Sequence, residues 1–119
     1  MKIKDVAFTA YAVSDVERAR AFYRDVLGLK EGQYFNDRFF EFDVGSSTFA
    51  IDGDPPPGLQ PGSSSGVNFE VDDVVAAREH LIENDATVTE VYEFQTCSIC
   101  FAMDPDGNGF ALHQRKDVH

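Results

Sequence analysis

Hydrophobic and polar positions divide the first part of the chain into a strand, a helix and three further strands. Met1–Val13 alternates imperfectly and predicts a strand, after which Ser14 or Asp15 can cap a helix. Apolar residues recur at helical spacing through Asp15–Leu27, and Gly28 is placed to end this helix. The strands predicted next are Glu31–Tyr34, Phe39–Val44 and Thr48–Asp52.

The same order of elements returns after a segment rich in Pro, Gly and Ser, residues 53–66 (GDPPPGLQPGSSSG). Its composition is typical of a linker or of a mobile flap, and the sequence leaves both interpretations open. A helix capped by Asp72 or Asp73 is predicted to run to about Asn84. The strands predicted around it are Val67–Val71, Thr87–Tyr92, Cys97–Met103 and Phe110–Gln114.

The order β-α-β-β-β is therefore predicted twice, and the residues themselves support a repeat. At an offset of 58, VSDVERAR (13–20) falls on VDDVVAAR (71–78) with five identities. At an offset of 61, FFEFDVGSSTFAI (39–51) falls on CFAMDPDGNGFAL (100–112) with four identities. We predict one α+β domain, residues 1–119, made of a first βαβββ module (1–52), a linker or flap (53–66) and a second module (67–119).

Composition and charge limit the classes of partner. The chain has 119 residues, 43% of them hydrophobic, and contains 11 Phe and 4 Tyr, enough to fill a core. No apolar run approaches the roughly 18–20 residues of a membrane span, and the first residues lack the apolar stretch of a signal peptide. We therefore expect a cytoplasmic protein without a membrane partner. Because the net charge is −11, nucleic-acid binding is not expected, whereas cationic partners would be attracted.

Cys97 and Cys100 form a CxxC pattern, which elsewhere indicates redox or zinc chemistry. Here it lies in a predicted strand, where residues three apart point to opposite faces. The two thiols are therefore expected to be structural or incidental.

Three segments carry a resemblance to a known family: VSDVERARAFYRDVLGL (13–29), VDDVVAAREHL (71–81) and MDPDGNGFALHQ (103–114). Together they resemble the vicinal-oxygen-chelate superfamily, the group of glyoxalases, bleomycin-resistance proteins and extradiol dioxygenases. The resemblance covers nearly the whole chain. It implies two βαβββ modules whose mixed sheets curl into a ligand-holding cup, with the helices outside. It also implies a homodimer, often with each cup built from both chains.

Metal-dependent members of that family place four His or Glu ligands on strands that face the cup. The neighbouring motifs put the corresponding positions at Phe8, Ala50, Gly66 and Ala111, none of which binds a metal. A shift of one residue at any of them supplies no His or Glu. We therefore expect no metal, no cofactor and no catalytic residue of the usual family type. The three histidines are His80 on the second helix, His113 beside the cup and His119 at the terminus.

Strand alternation predicts which side chains face the cup. We expect the ligand to contact Phe8, Ala10, Phe39, Glu41, Ala50, Asp52, Asn68, Glu70, Ala111 and His113. Ala12, Asp43, Thr48, Cys100 and Ala102 are predicted on the same inner side. Tyr34 and Phe35 are further candidates for stacking on a flat ligand. Small apolar residues at the floor and carboxylates at the walls favour a small cationic or aromatic ligand.

The sequence leaves four functions open. The first is a metal-free binding protein, as bleomycin-resistance proteins are. The second is a metal-independent lyase or isomerase with Glu70 or Glu41 as general base, which needs a pKa raised by burial or by a neighbouring carboxylate. The third is a structural or regulatory module with a vestigial cup. The fourth is a family enzyme, such as a lactoylglutathione lyase or a dioxygenase, with displaced ligands at Glu41, Glu70 and His113.

Overall fold

Two four-stranded mixed sheets form the frame of the molecule, one from each half of the chain. The structure is a computed structural model that describes residues 1–117, apart from the side chains of residues 34 and 35. The first sheet has the order β1-β4-β3-β2, with β1 parallel to β4 and the other neighbours antiparallel. Its strands are β1 (Thr9–Ala12), β2 (Lys30–Phe35), β3 (Phe39–Val44) and β4 (Ser47–Asp52).

The second sheet repeats this topology with the order β5-β8-β7-β6, and β5 is again parallel to β8. Its strands are β5 (Val67–Glu70), β6 (Tyr92–Glu93), β7 (Cys97–Met103) and β8 (Gly109–Arg115). Two β-α-β-β-β units with the same connections are thus present, and the predicted fold class is confirmed. None of the helices in the described residues is long and apolar enough to cross a membrane.

One helix follows the first strand of each half. α1 (Val16–Ala21) is capped by Asp15, whose side chain accepts a hydrogen bond from the backbone N–H of Arg18. α2 (Val74–Glu83) is capped by Asp73, whose side chain accepts a hydrogen bond from the backbone N–H of Ala76. α1 continues as a π-helical segment, Phe22–Val26, which ends where the Leu27 N–H donates to the Phe22 carbonyl. The second helix was predicted closely, whereas the π-helical turn was not.

Two predicted strands are shorter than expected. β1 begins only at Thr9, and residues 1–8 are all exposed and outside any strand. The strand predicted at Thr87–Tyr92 is reduced to an isolated bridge at Val88 and the two-residue β6. The hydrophobic pattern of these segments is correct for strands, but strand pairing needs a neighbouring edge, which sequence periodicity does not reveal.

A single aromatic core joins the two halves. The Phe49 ring from β4 contacts the Phe69 ring from β5 edge-on, with centroids 5.6 Å apart. Phe22 of the π-helical segment contacts Phe110 of β8 at 6.0 Å. Because Phe49, Phe69 and Phe110 each lie on the helix-facing side of their sheets, the opposite side of each sheet points away from this core.

A buried polar network also joins the halves at the turn between β7 and β8. The Asn108 side chain is fully buried, and its amide donates to the Ala12 carbonyl of β1 and to the Asp104 carboxylate. The Tyr23 hydroxyl donates to Asp104 over 2.7 Å. Burial, followed by the nearby Asp104 charge, raises the pKa of Tyr23 far above its usual value, so the phenol keeps the proton that it donates.

The same network fixes the end of the segment between the halves. The side-chain oxygen of Asn108, Oδ1, accepts hydrogen bonds from the backbone N–H groups of Gly62 and Ser64, each over 2.9 Å. The Ser64 hydroxyl accepts the Ala12 N–H, and the Tyr11 hydroxyl accepts the Val67 N–H. These contacts tie the last part of residues 53–66 to both sheets.

Replacing Asn108 by alanine is expected to lower the free energy of unfolding by about 3 kcal/mol, because buried backbone and carboxylate groups lose their partners. Urea unfolding followed by circular dichroism measures this change. Asn36→Ala is the matched control, because Asn36 is exposed and accepts one local hydrogen bond from the Arg38 N–H. Equal effects of the two substitutions would contradict the role given to Asn108.

Candidate functional site

Each sheet has one face that points away from the shared core, and these two faces contain all ten residues predicted to contact a ligand. We call them the first open face (Phe8, Ala10, Phe39, Glu41, Ala50 and Asp52) and the second open face (Asn68, Glu70, Tyr92, Ile99, Phe101, Met103, Ala111 and His113). The two faces belong to separate sheets, so the ten predicted residues divide into six on the first open face and four on the second.

The first open face is centred on Ala50, which is fully buried by its neighbours. Ala50 pairs with Ala10 on one side and with Glu41 on the other, so the three side chains form one row across the sheet. In the next row Phe39 pairs with Asp52, and the Phe8 ring meets the Phe39 ring edge-on at 5.7 Å. Small residues lie at the centre of this face, and aromatic and acidic residues lie around them.

The second open face is centred on Ala111, which is 3% exposed and pairs with Asn68 and Phe101. One row further along, Glu70 pairs with His113, and the Glu70 Oε1 atom lies 2.5 Å from His113 Nδ1. The other Glu70 oxygen accepts the backbone N–H of Arg115 over 2.7 Å. This face therefore combines an apolar centre with one polar pair held at its side.

Two residues predicted on the inner side lie on the wrong face of β7. Cys100 and Ala102 are buried in the core, while Phe101 pairs with Ala111 and lies on the second open face. The cause is the length of the turn before β8. In the second hairpin Met103 pairs with Gly109, and five residues lie between them. In the first hairpin the equivalent cross-strand pair is Asp43 and Thr48, and four residues lie between them. One extra residue shifts β7 by one position relative to β3, which exchanges its two faces.

Four residues of the second open face were not predicted from the sequence. Ile99, Phe101 and Met103 belong to β7, whose two faces the shift exchanges, and Tyr92 of β6 pairs with Ile99. Phe101 and Met103 are 47% and 49% exposed, and the Tyr92 ring lies 6.1 Å from the Phe101 ring. Because the two hairpin segments align without a gap, the sequence offered no signal for this longer turn.

A cavity of about 420 Å³ lies on the second open face. Its predominantly apolar wall includes Phe101, Met103, Ala111 and Asn68 from that face, with Thr87 and Thr89 along one side. A second cavity, of about 390 Å³, lies between the two sheets and includes Thr48, Asn68 and Glu70 in its wall. Both volumes are in the range that holds a small organic ligand.

The four positions at which the family resemblance predicts metal ligands do not fit such an ion in this chain. Phe8, Ala50, Gly66 and Ala111 offer no ligating side chain. Within residues 1–117, no group of three or more His, Cys, Asp or Glu side chains is placed to hold a metal. Glu70 and His113 pair with each other, but Glu41 lies on the other open face, so the three candidate displaced ligands do not meet.

The charge state of Glu70 bears on its candidate role as general base. The Arg115 backbone N–H, and after it the His113 imidazole, lower the pKa of the Glu70 carboxyl. A carboxylate stabilised in this way is a weaker base than a free one, which is the opposite of the raised pKa that the hypothesis needs.

The remaining candidates lie elsewhere. His80 Nε2 is 2.7 Å from the Val26 carbonyl oxygen, where it links α2 to the end of the π-helical segment. Cys97 lies on the same side of β7 as Ile99 and Phe101, whereas Cys100 lies in the core, and both are free thiols. Burial raises the pKa of the Cys100 thiol. The Tyr34 and Phe35 side chains and His119 lie outside the described residues.

Comparison with known proteins identifies the fold independently. The family model described as Glyoxalase/Bleomycin resistance protein/Dioxygenase superfamily matches residues 5–112. No curated protein matches the sequence. The structure is similar to the antibiotic binding protein TnmS3 from Streptomyces sp. CB03234, with 26% identity and a TM-score of 0.82 over 98% of this chain and 99% of that chain.

Two other solved structures share the architecture. A glyoxalase/bleomycin resistance protein from Streptomyces sp. CB03234 is 26% identical, with a TM-score of 0.79 over 92% of this chain and 100% of that chain. A lactoylglutathione lyase from Agrobacterium tumefaciens is 20% identical, with a TM-score of 0.76 over 95% of each chain. Because the lyase is only 20% identical, its similarity to this chain establishes a shared fold and no shared activity.

In a ¹³C NMR titration, we expect the pKa of the Glu70 carboxyl to lie below the ordinary glutamate value of 4.5, because two donors stabilise the carboxylate. His113→Phe should move that midpoint upward, since one donor is lost and the Arg115 N–H remains. Arg24→Gln, at a distant ion pair with Asp25, serves as the control and should leave Glu70 unchanged. A midpoint above 4.5 in the native protein would restore Glu70 as a candidate base.

Proposed function

The chain belongs to the Glyoxalase/Bleomycin resistance protein/Dioxygenase superfamily, and on that premise we propose that it is a binding protein for a small aromatic ligand, which it holds without a metal ion. The observation that carries the proposal is the second open face, where an apolar cavity of about 420 Å³ includes the exposed Phe101 ring in its wall, with the Tyr92 ring against Phe101. Solvent-exposed apolar surface of this kind is typical of ligand or partner sites.

Charge favours a ligand that is also cationic. The net charge is −11, and the half-buried Glu41 and Asp52 lie beside the Phe8 and Phe39 rings on the first open face. A positive group over an aromatic ring and next to a carboxylate gains from both contacts. The structurally similar TnmS3 is an antibiotic binding protein, which supports sequestration of a small molecule as the function of this chain.

A second proposal concerns assembly: we infer that two copies of the chain form a homodimer in which the open faces of different copies together enclose the ligand. Each open face is incomplete by itself, because its opposite wall is missing in one chain. Residues 1–8 extend from β1 with Ile3 79% and Val6 76% exposed, and such apolar side chains need a partner surface. A second copy supplies both the wall and that surface.

The binding function is tested by thermal shift with cationic, neutral and anionic aromatic compounds, each with and without a divalent metal. A ligand at about 100 times its dissociation constant adds roughly 2.7 kcal/mol, which raises the midpoint by on the order of 10 °C. We expect stabilisation by cationic aromatics that is indifferent to metal. Glu41→Gln should reduce it, while Glu83→Gln on the exposed side of α2 should not. Stabilisation that requires metal, or turnover of the compound, would refute the proposal.

The homodimer is tested by light scattering after size exclusion. We expect twice the 13.2 kDa mass of one chain. Val6→Asp should weaken the dimer by tenfold or more, because it places a charge in a buried apolar contact. Val75→Asp is the matched control, since Val75 is an exposed valine on α2. A monomer at all concentrations, or equal effects of both substitutions, would exclude the proposed assembly.

A further inference from the structure

The polar pair on the second open face has a backbone hydrogen bond in addition to its own contact. Glu70 and His113 are direct partners in the parallel strands β5 and β8, with 2.5 Å between Oε1 and Nδ1. The Arg115 backbone N–H holds the second carboxylate oxygen at 2.7 Å. Because this N–H belongs to the strand that also carries His113, the carboxylate is held in a fixed position relative to the imidazole ring.

This arrangement determines which nitrogen of His113 carries the proton. The two donors lower the pKa of the Glu70 carboxyl, so it is ionised at neutral pH and can only accept hydrogen bonds. Nδ1 must therefore be the protonated nitrogen of a neutral His113, which leaves Nε2 as an acceptor. The described residues give Nε2 no hydrogen-bond partner, and the His113 side chain is 25% exposed.

The surroundings of His113 define the shape of the group that Nε2 can meet. Glu70, His113, Ile99 and Tyr92 are successive cross-strand partners, so they form one row across all four strands of the sheet. At a strand spacing of about 4.8 Å, His113 and Tyr92 are roughly 10 Å apart, with Ile99 between them. Phe101 lies in the adjacent row against Tyr92. The cavity on this face includes Phe101 in its wall, so a flat ring system in contact with Phe101 can extend from the cavity along this row toward His113.

We propose that Glu70 orients His113 so that Nε2 accepts a hydrogen bond from a hydroxyl or N–H group of a flat aromatic ligand lying over Ile99, Tyr92 and Phe101. His113 is then a specificity-determining residue, and Glu70 is a positioning residue that does not touch the ligand. This inference rests on the proposed binding function, and it narrows the ligand class to arenes that carry a hydrogen-bond donor at one end.

The first test measures the proton position in the free protein. Long-range ¹H–¹⁵N NMR spectra of the neutral imidazole should show His113 in the Nδ1–H form. In Glu70→Ala the Nε2–H form should become the major one, because the acceptor that holds the proton on Nδ1 is lost. An Nε2–H tautomer in the native protein would overturn the proposal directly, whatever the ligand.

The second test uses two probes that differ in one donor, 2-naphthol and 2-methoxynaphthalene. We expect the native protein to bind 2-naphthol about tenfold more tightly, the usual net worth of one hydrogen bond. His113→Phe, which keeps the ring surface, should abolish this preference without weakening the methoxy probe. Glu70→Ala should reduce it. Circular dichroism verifies that both variants are folded.

The outcomes separate the two proposals. If both probes shift the amide signals of Ile99, Phe101 and Ala111 with equal affinity, or if His113→Phe keeps the preference for 2-naphthol, the acceptor role is wrong while the binding site stands. If neither probe shifts those signals, binding of a flat arene at this face is wrong, and the inference falls with it.

Discussion

The buried hydrogen bonds of the turn between β7 and β8 hold the two halves of this protein together. Asn108 has no solvent exposure, and it contacts the first strand, the linker and Asp104 at once. Tyr23, from the first half, completes the set by donating to Asp104. Buried polar groups are costly unless each finds a partner, so this network tolerates only one relative placement of the two sheets.

That placement explains why the sites are open. The network and the aromatic core hold the helix-facing sides of the sheets together, so the sides centred on Ala50 and Ala111 point outward. Alanine at the centre of each sheet leaves space where a larger side chain would fill it. The chain therefore presents two open, partly aromatic faces, and this geometry is the physical basis of the proposed dimer.

The two open faces differ in chemistry, although they arise from a repeated unit. The first face has carboxylates beside aromatic rings, and the second has more apolar surface with a single oriented polar pair. Part of this difference comes from one extra residue in the second hairpin, which brings Phe101 to the open face and buries Cys100. A turn that is one residue longer thus gives the two halves different surfaces without changing the topology.

The sequence by itself determined the repeated β-α-β-β-β order, both helix N-caps, the family and the absence of ligating residues at the four expected metal positions, because these depend on local periodicity and residue type. Only the tertiary structure decided which face of β7 is open, where β1 begins, and that Glu70 pairs with His113 and has a lowered pKa. Strand register can change by one residue without altering the alternating pattern, and a pKa depends on donors that lie far apart in sequence.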